Sequence, residues 1–104
     1  MAIFKDSAGT ATQHIYGVIS PDGKIISGEG FKCHKLRYGL YLIEFDQPFV
    51  DTPAAICTIY GGEWQTFNLS VAVVDVAPWH FVCTTSSPDR SEDCGFTFIA
   101  FGNI

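Results

Sequence analysis

The sequence lacks helical periodicity. No window of ten or more residues repeats apolar side chains at i, i+3, i+4 and i+7, so no amphipathic helix is expected and a coiled coil is excluded. No apolar run approaches the roughly 20 residues of a membrane-spanning helix, which excludes insertion of that kind. Charge is scarce, at 16% of 104 residues against about 25% in an average soluble domain. Basic charge is scarcer still after residue 37, where Arg90 stands alone against eight carboxylates. Residues 1–37 carry a net +2, the rest a net −7, and the whole chain −5. A chain this acidic has no footprint for phosphates, which speaks against nucleic acid as a partner. Lys24, Lys32, Lys35 and Arg37 form the one basic cluster and read as solvated strand faces. There is no Cys-x-x-C pair, which leaves zinc ribbons and thioredoxin-type redox sites without support. The start, Met1-Ala-Ile-Phe-Lys-Asp, lacks the basic stretch and long apolar segment of a secretory leader. This points to an intracellular chain, one exported within a larger particle, or one whose leader has been removed.

What is abundant is aromatic and β-branched. Nine Phe, four Tyr and two Trp stand in a chain that is 47% hydrophobic, so disorder is excluded. Short runs rich in Val, Ile, Thr, Phe and Tyr are closed by Gly, Pro, Asp or Ser, the mark of strands and turns. Strands are expected at 15–19, 24–27, 31–37, 40–45, 54–60, 68–77, 80–85 and 95–101. Residues 1–14 read as a lead-in. Ser20-Pro21-Asp22-Gly23 is a turn, with Pro presetting φ and Gly in the last place. Tyr41, Ile43 and Phe45 fall on one face of their strand. The nearly continuous apolar run 54–60 suits a strand covered on both faces. The last strand places Phe96 and Phe98 on one face and Ile99 and Phe101 on the other. Seven or eight short strands and no repeat or linker predict a single all-β domain, an antiparallel sandwich or barrel. A strand apolar on both faces predicts that subunits cover one another.

Chemistry is harder to find. Cys33, Cys57, Cys83 and Cys94 are widely spaced; the first three lie in apolar runs and read as buried free thiols. Cys94, beside a polar loop, is expected to be the reactive one. Cys33 and His34 point to opposite faces of a strand and cannot share an ion, while His14 and His80 lie on other strands. The run Asp89-Arg90-Ser91-Glu92-Asp93 alternates oxygen ligands but lacks the glycine and terminal Glu of a calcium loop. No metal or cofactor is therefore expected. Ser, His and Asp occur in no recognised nucleophile frame, so an enzyme is not expected. The better candidates are aromatics in polar loops, since sugars stack C–H faces on rings and bond their hydroxyls to charged and amide groups. Trp64 has Glu63 and Gln65 beside it. Asp89 and Arg90 sit in the other polar loop, 86–93. These five residues form the candidate ligand site, provided both loops lie at one end of the sandwich. Trp79, after Pro78, reads instead as a core or interface lid.

One ordered pattern goes further. It runs through Gly17-Val-Ile-Ser-Pro-Asp-Gly23, Ile26-Ser-Gly-Glu-Gly-Phe31, Gly39-Leu-Tyr-Leu-Ile-Glu-Phe45, Pro48-Phe49 and Pro53-Ala54. It closes with residues 68–76 and Phe96-Thr-Phe-Ile-Ala-Phe-Gly102. This resembles the C-terminal β-domain of bacterial collagen-like surface proteins and phage-type tail fibres, over about residues 15–102. The middle section also resembles H-type lectins, compact sandwiches that trimerise and bind sugars. The resemblance implies a jelly-roll-like or H-type-lectin-like sandwich assembled as a homotrimer. It implies a recognition head with a glycan ligand, or a domain that trimerises and caps a fibre or particle. It carries over no catalytic residue.

Overall fold

The structure is a computed structural model and describes residues 2–63 and 66–104. Among them are nine strands and no helix: β1 (Ala2–Lys5), β2 (Ala11–Ile19), β3 (Ile25–Ser27), β4 (Phe31–Arg37), β5 (Leu40–Phe45), β6 (Ala54–Tyr60), β7 (Ser70–Ala77), β8 (His80–Ser86) and β9 (Gly95–Asn103). All pairings are antiparallel. One sheet, here sheet A, has the order β1-β2-β9-β6, with β3 also paired to β2; sheet B has the order β4-β5-β8-β7. The chain is all-β, with two antiparallel sheets enclosing one core.

The period-2 pattern of each strand sets what the sheets share. Ile15 and Ile19 of β2 and Phe96, Phe98 and Ala100 of β9 face Phe31, Tyr41, Ile43, Phe45, Phe81 and Cys83 of sheet B, all of them buried. Aromatic rings make the contacts between layers. Phe98 meets Phe31 edge-on at 4.9 Å and Phe81 at 5.1 Å between centroids, and Tyr41 meets Phe96 at 5.2 Å. Such edge-to-face pairs are worth about 0.5–1.5 kcal/mol beyond the area they bury. Phe49, from the Pro-containing crossing between β5 and β6, closes the core beside Phe45 at 5.0 Å.

Three sequence expectations are corrected. The stretch 1–14 is not a bare lead-in: β1 pairs with β2 from Ala2↔His14 to Lys5↔Ala11, and β2 begins four residues earlier than expected. β6 is covered on one face only, its residues alternating between half-buried and exposed, with Ile56 69% exposed. The cause is the two-layer architecture: sheet B lies against one side of sheet A, and the chain itself does not cover the other. Cys94 is buried rather than presented to solvent, because the loop before it is tied back to the sheet, as described next.

Candidate functional site

Two loops end on the same edge of the sandwich. β6 runs into 61–69 and β8 into 87–94, and the turn between β2 and β3 joins them there. Between them lies a cavity of about 450 Å³ lined by Pro21, Tyr60, Gly61, Leu69 and the run Glu92-Asp93-Cys94-Gly95. A second, more polar depression of about 400 Å³ adjoins it, lined by Asn68, Ser87, Asp89, Arg90 and Glu92. Glu92 borders both.

The walls are held by hydrogen bonds that also dispose of the carboxylates. Buried Thr85 donates its hydroxyl to the Glu92 carbonyl at 2.6 Å, and its own carbonyl accepts the Glu92 N–H at 3.1 Å. Ser87 N–H donates to the Arg90 carbonyl at 2.9 Å, closing the loop tip. Asp93 lines the cavity with its carboxylate already engaged. Its carboxylate pairs with the Lys35 ammonium and accepts the Gly39 N–H at 2.7 Å. The Tyr41 hydroxyl donates to the Pro21 carbonyl at 2.6 Å and lies 3.5 Å from the same carboxylate. Burial, and then the Asp93 charge, push the Tyr41 phenol well above its ordinary value, so it remains a neutral donor. Arg90 places two guanidinium nitrogens 3.4 Å from the Glu92 carboxylate. Both carboxylates at the cavity are thus answered by a cation.

No protein family, curated protein or solved structure matches the chain. The reading of the site therefore rests on its own geometry.

Of the residues singled out from the sequence, Asp89 and Arg90 line the polar depression, and Glu63 is exposed in the adjoining loop. Trp64 and Gln65 lie outside the described residues. Trp79 lies at the far end of the sandwich, in the β7–β8 turn, 47% exposed with its ring 3.9 Å from that of His80. The sequence reading passed over Phe67, which is 81% exposed beside Asn68, and Tyr60, whose ring borders the cavity. A sequence signal for Phe67 existed: an aromatic between Thr66 and Asn68, before the strand alternation begins.

The remaining chemistry is dispersed. Among the described residues no three His, Cys, Asp or Glu side chains converge as metal ligands. His34 and His80 sit on the outer face of sheet B, 3.4 Å from Glu44 and 2.9 Å from Asp75 respectively. Lys24 pairs with Asp22 and Lys35 with Asp93, so the basic cluster is partly neutralised. The four cysteines are free thiols. Burial pushes Cys33 up to about 11, and Cys94 is raised by burial and by the Glu92 charge. Cys57 and Cys83 influence each other across the two sheets, which lowers Cys57 and, with burial, raises Cys83 far above the ordinary thiol range.

Proposed function

We propose that the chain is a non-enzymatic recognition module of the fibre-head or lectin type, taking a carbohydrate at the loop end of the sandwich. One observation carries this reading: an apolar cavity beside a polar depression, both built by the loops that follow β6 and β8. Tyr60 and Leu69 offer surface for the C–H face of a sugar, while Asn68, Asp89 and Arg90 offer donors and acceptors for its hydroxyls. The volume lies within the roughly 300–1,000 Å³ of small-molecule sites, and apolar walls with a few polar groups are their usual composition. Binding rather than acid–base chemistry is favoured because Asp93 and Glu92 are each held by a cation and by loop hydrogen bonds. In a cyclic assembly, several weak sites would act together through avidity.

A glycan array, followed by titration calorimetry on any hit, tests the proposal. Binding that is lost on Arg90→Ala and on Trp64→Ala, with circular dichroism unchanged, would support it. A blank array with folded protein would sink it and favour a second reading, a capping and assembly module with no ligand of its own. The outer side of sheet A, where β1, β2, β9 and β6 carry no Asp, Glu, Lys or Arg, favours that alternative.

A further inference from the structure

The two outer faces of the sandwich differ in kind. On sheet B the outward side chains include Lys32, His34, Glu44, Asp75 and His80, with ion pairs between them. On sheet A the outward positions of β1, β2, β9 and β6 carry no Asp, Glu, Lys or Arg. Register brings their large side chains together. Ile56, Ile99 and Tyr16 form one cross-strand row, 69%, 56% and 54% exposed. In the next row His14 lies between two rings, 4.8 Å from Phe4 and 4.6 Å from Phe101; these two are 52% and 45% exposed.

We infer that this face is an interface between copies of this chain, closed in a cyclic assembly with the outer side of sheet A as the shared surface. At roughly 150–250 Å² per aromatic side chain, the three half-exposed rings alone present about 300 Å². The two isoleucines and the Ala, Thr and Val residues between them bring the patch toward the ~800 Å² per partner of a standard-size interface. Apolar patches of that size are uncommon on monomers. The occupant is another copy because the face has no charge with which to select a different protein. A membrane surface is a poor alternative, since the chain carries net −5 and the face has no basic residue to meet anionic lipid. A closed cyclic arrangement covers such a face on every copy. The inference holds whether or not the end cavity takes a sugar, because the cavity lies at the loop end and this face on the flank.

Light scattering on the purified chain at micromolar concentration tests it. The expected mass is a small whole multiple of 11.4 kDa. Ile99→Asp, which puts a carboxylate in the centre of the patch, should weaken association about a hundredfold or more and give monomer with an unchanged far-ultraviolet spectrum. Ile99→Thr keeps strand propensity and should weaken it less, which guards against a variant that merely misfolds. Leu36→Asp, equally exposed on β4 of sheet B, should leave the mass unchanged. A wild-type mass of one chain would overturn the inference, as would an Ile99→Asp protein that keeps its oligomeric mass. Neither result bears on the glycan array, so the two proposals fail separately.

Discussion

Replacing Gly17 by alanine sets two known effects against each other. Gly17 faces inward on β2 opposite Phe98. Removing a glycine from a strand should by itself stabilise the fold by about 0.5–1 kcal/mol, through lost freedom in the unfolded chain. The added Cβ, however, would stand 2.4 Å from Phe31 Cζ and 2.7 Å from Phe98 Cε1. Carbon contacts are favourable at about 3.5–4.0 Å, so both rings must retreat by roughly 1 Å. Neither has room. Phe31 and Phe98 pack edge-on against each other, and Phe98 packs in turn on Phe81. Overpacking of this kind costs about 1–3 kcal/mol, more than the entropy gained. The net expectation is a loss of about 1–2 kcal/mol, which at this size lowers Tm by about 5–15 °C. Thermal and urea melts by circular dichroism, at one fixed protein concentration because association shifts Tm, measure it. Phe31→Leu should relieve the clash, so that Gly17→Ala costs at least about 1 kcal/mol less in that background. An unchanged or raised Tm for the single variant, or an equal cost in both backgrounds, would refute the ring-clash argument.

Four further outcomes are expected. In the native protein iodoacetamide should label Cys57 first, with four thiols titrating in denaturant without reductant; labelling led by Cys94 or Cys33 would contradict the assigned thiol environments. Asp93→Asn should cost about 0.5–1.5 kcal/mol in urea unfolding, since it removes the charge from the carboxylate that holds Lys35 and the Gly39 N–H; a neutral result would show the clasp to be dispensable. Gly28→Ala should be more damaging than Gly17→Ala, because Gly28 has φ +103° and its Cβ would meet the Tyr16 carbonyl oxygen at 2.2 Å, with no side chain to move aside; soluble protein with a near-native Tm would count against this. Asp22 is held below the ordinary carboxylate range, chiefly by the Ser20 hydroxyl. A depressed folded-state value means this contribution is present above the unfolded value and lost as pH falls through the folded one. Ser20→Ala should raise the Asp22 titration midpoint seen by NMR; no movement would reject the hydroxyl as its cause.

β4, β5 and β6 have the expected bounds because Gly, Pro and Asp punctuate them, and Tyr41, Ile43 and Phe45 face inward as their alternation requires. β1 was not legible. Ala2–Lys5 is four exposed residues with no pattern of their own, and they become a strand by pairing with β2. The early start of β2 has a similar origin, since Thr12 pairs with Asn103 and Gln13 with Gly102, far along the chain. Composition could not tell how many sides of an apolar strand are covered, because that depends on the number of layers; the run of β6 suits cover on both sides, and a two-layer sandwich covers one. In the candidate site, the proximity of the loops after β6 and β8 was an assumption in the sequence and is visible in the stems of both. Phe67 was missed because strand periodicity was extended back through Asn68, whereas β7 starts at Ser70.

The position of β9 has a consequence for the order of events in synthesis. It lies between β2 and β6 in sheet A, so β6 meets its sheet partner, and β2 its longest pairing, only when residues 95–103 have been made. At about 5–20 residues per second, β2 waits several seconds for it. During that interval β4 and β5, and later β7 and β8, can pair as hairpins, and β5 can join β8 once the chain has returned from β6. Their inner apolar faces, Tyr41, Ile43 and Phe81 among them, remain without Phe96 and Phe98 to cover them. The half-made chain thus presents an open sheet with a wet core face, the kind of surface that chaperones bind and that aggregates when crowded. A chain stopped before Phe96 would keep most of its strands and lose the centre of one sheet. Closure of sheet A waits for β9, and the whole sandwich depends on that strand being made.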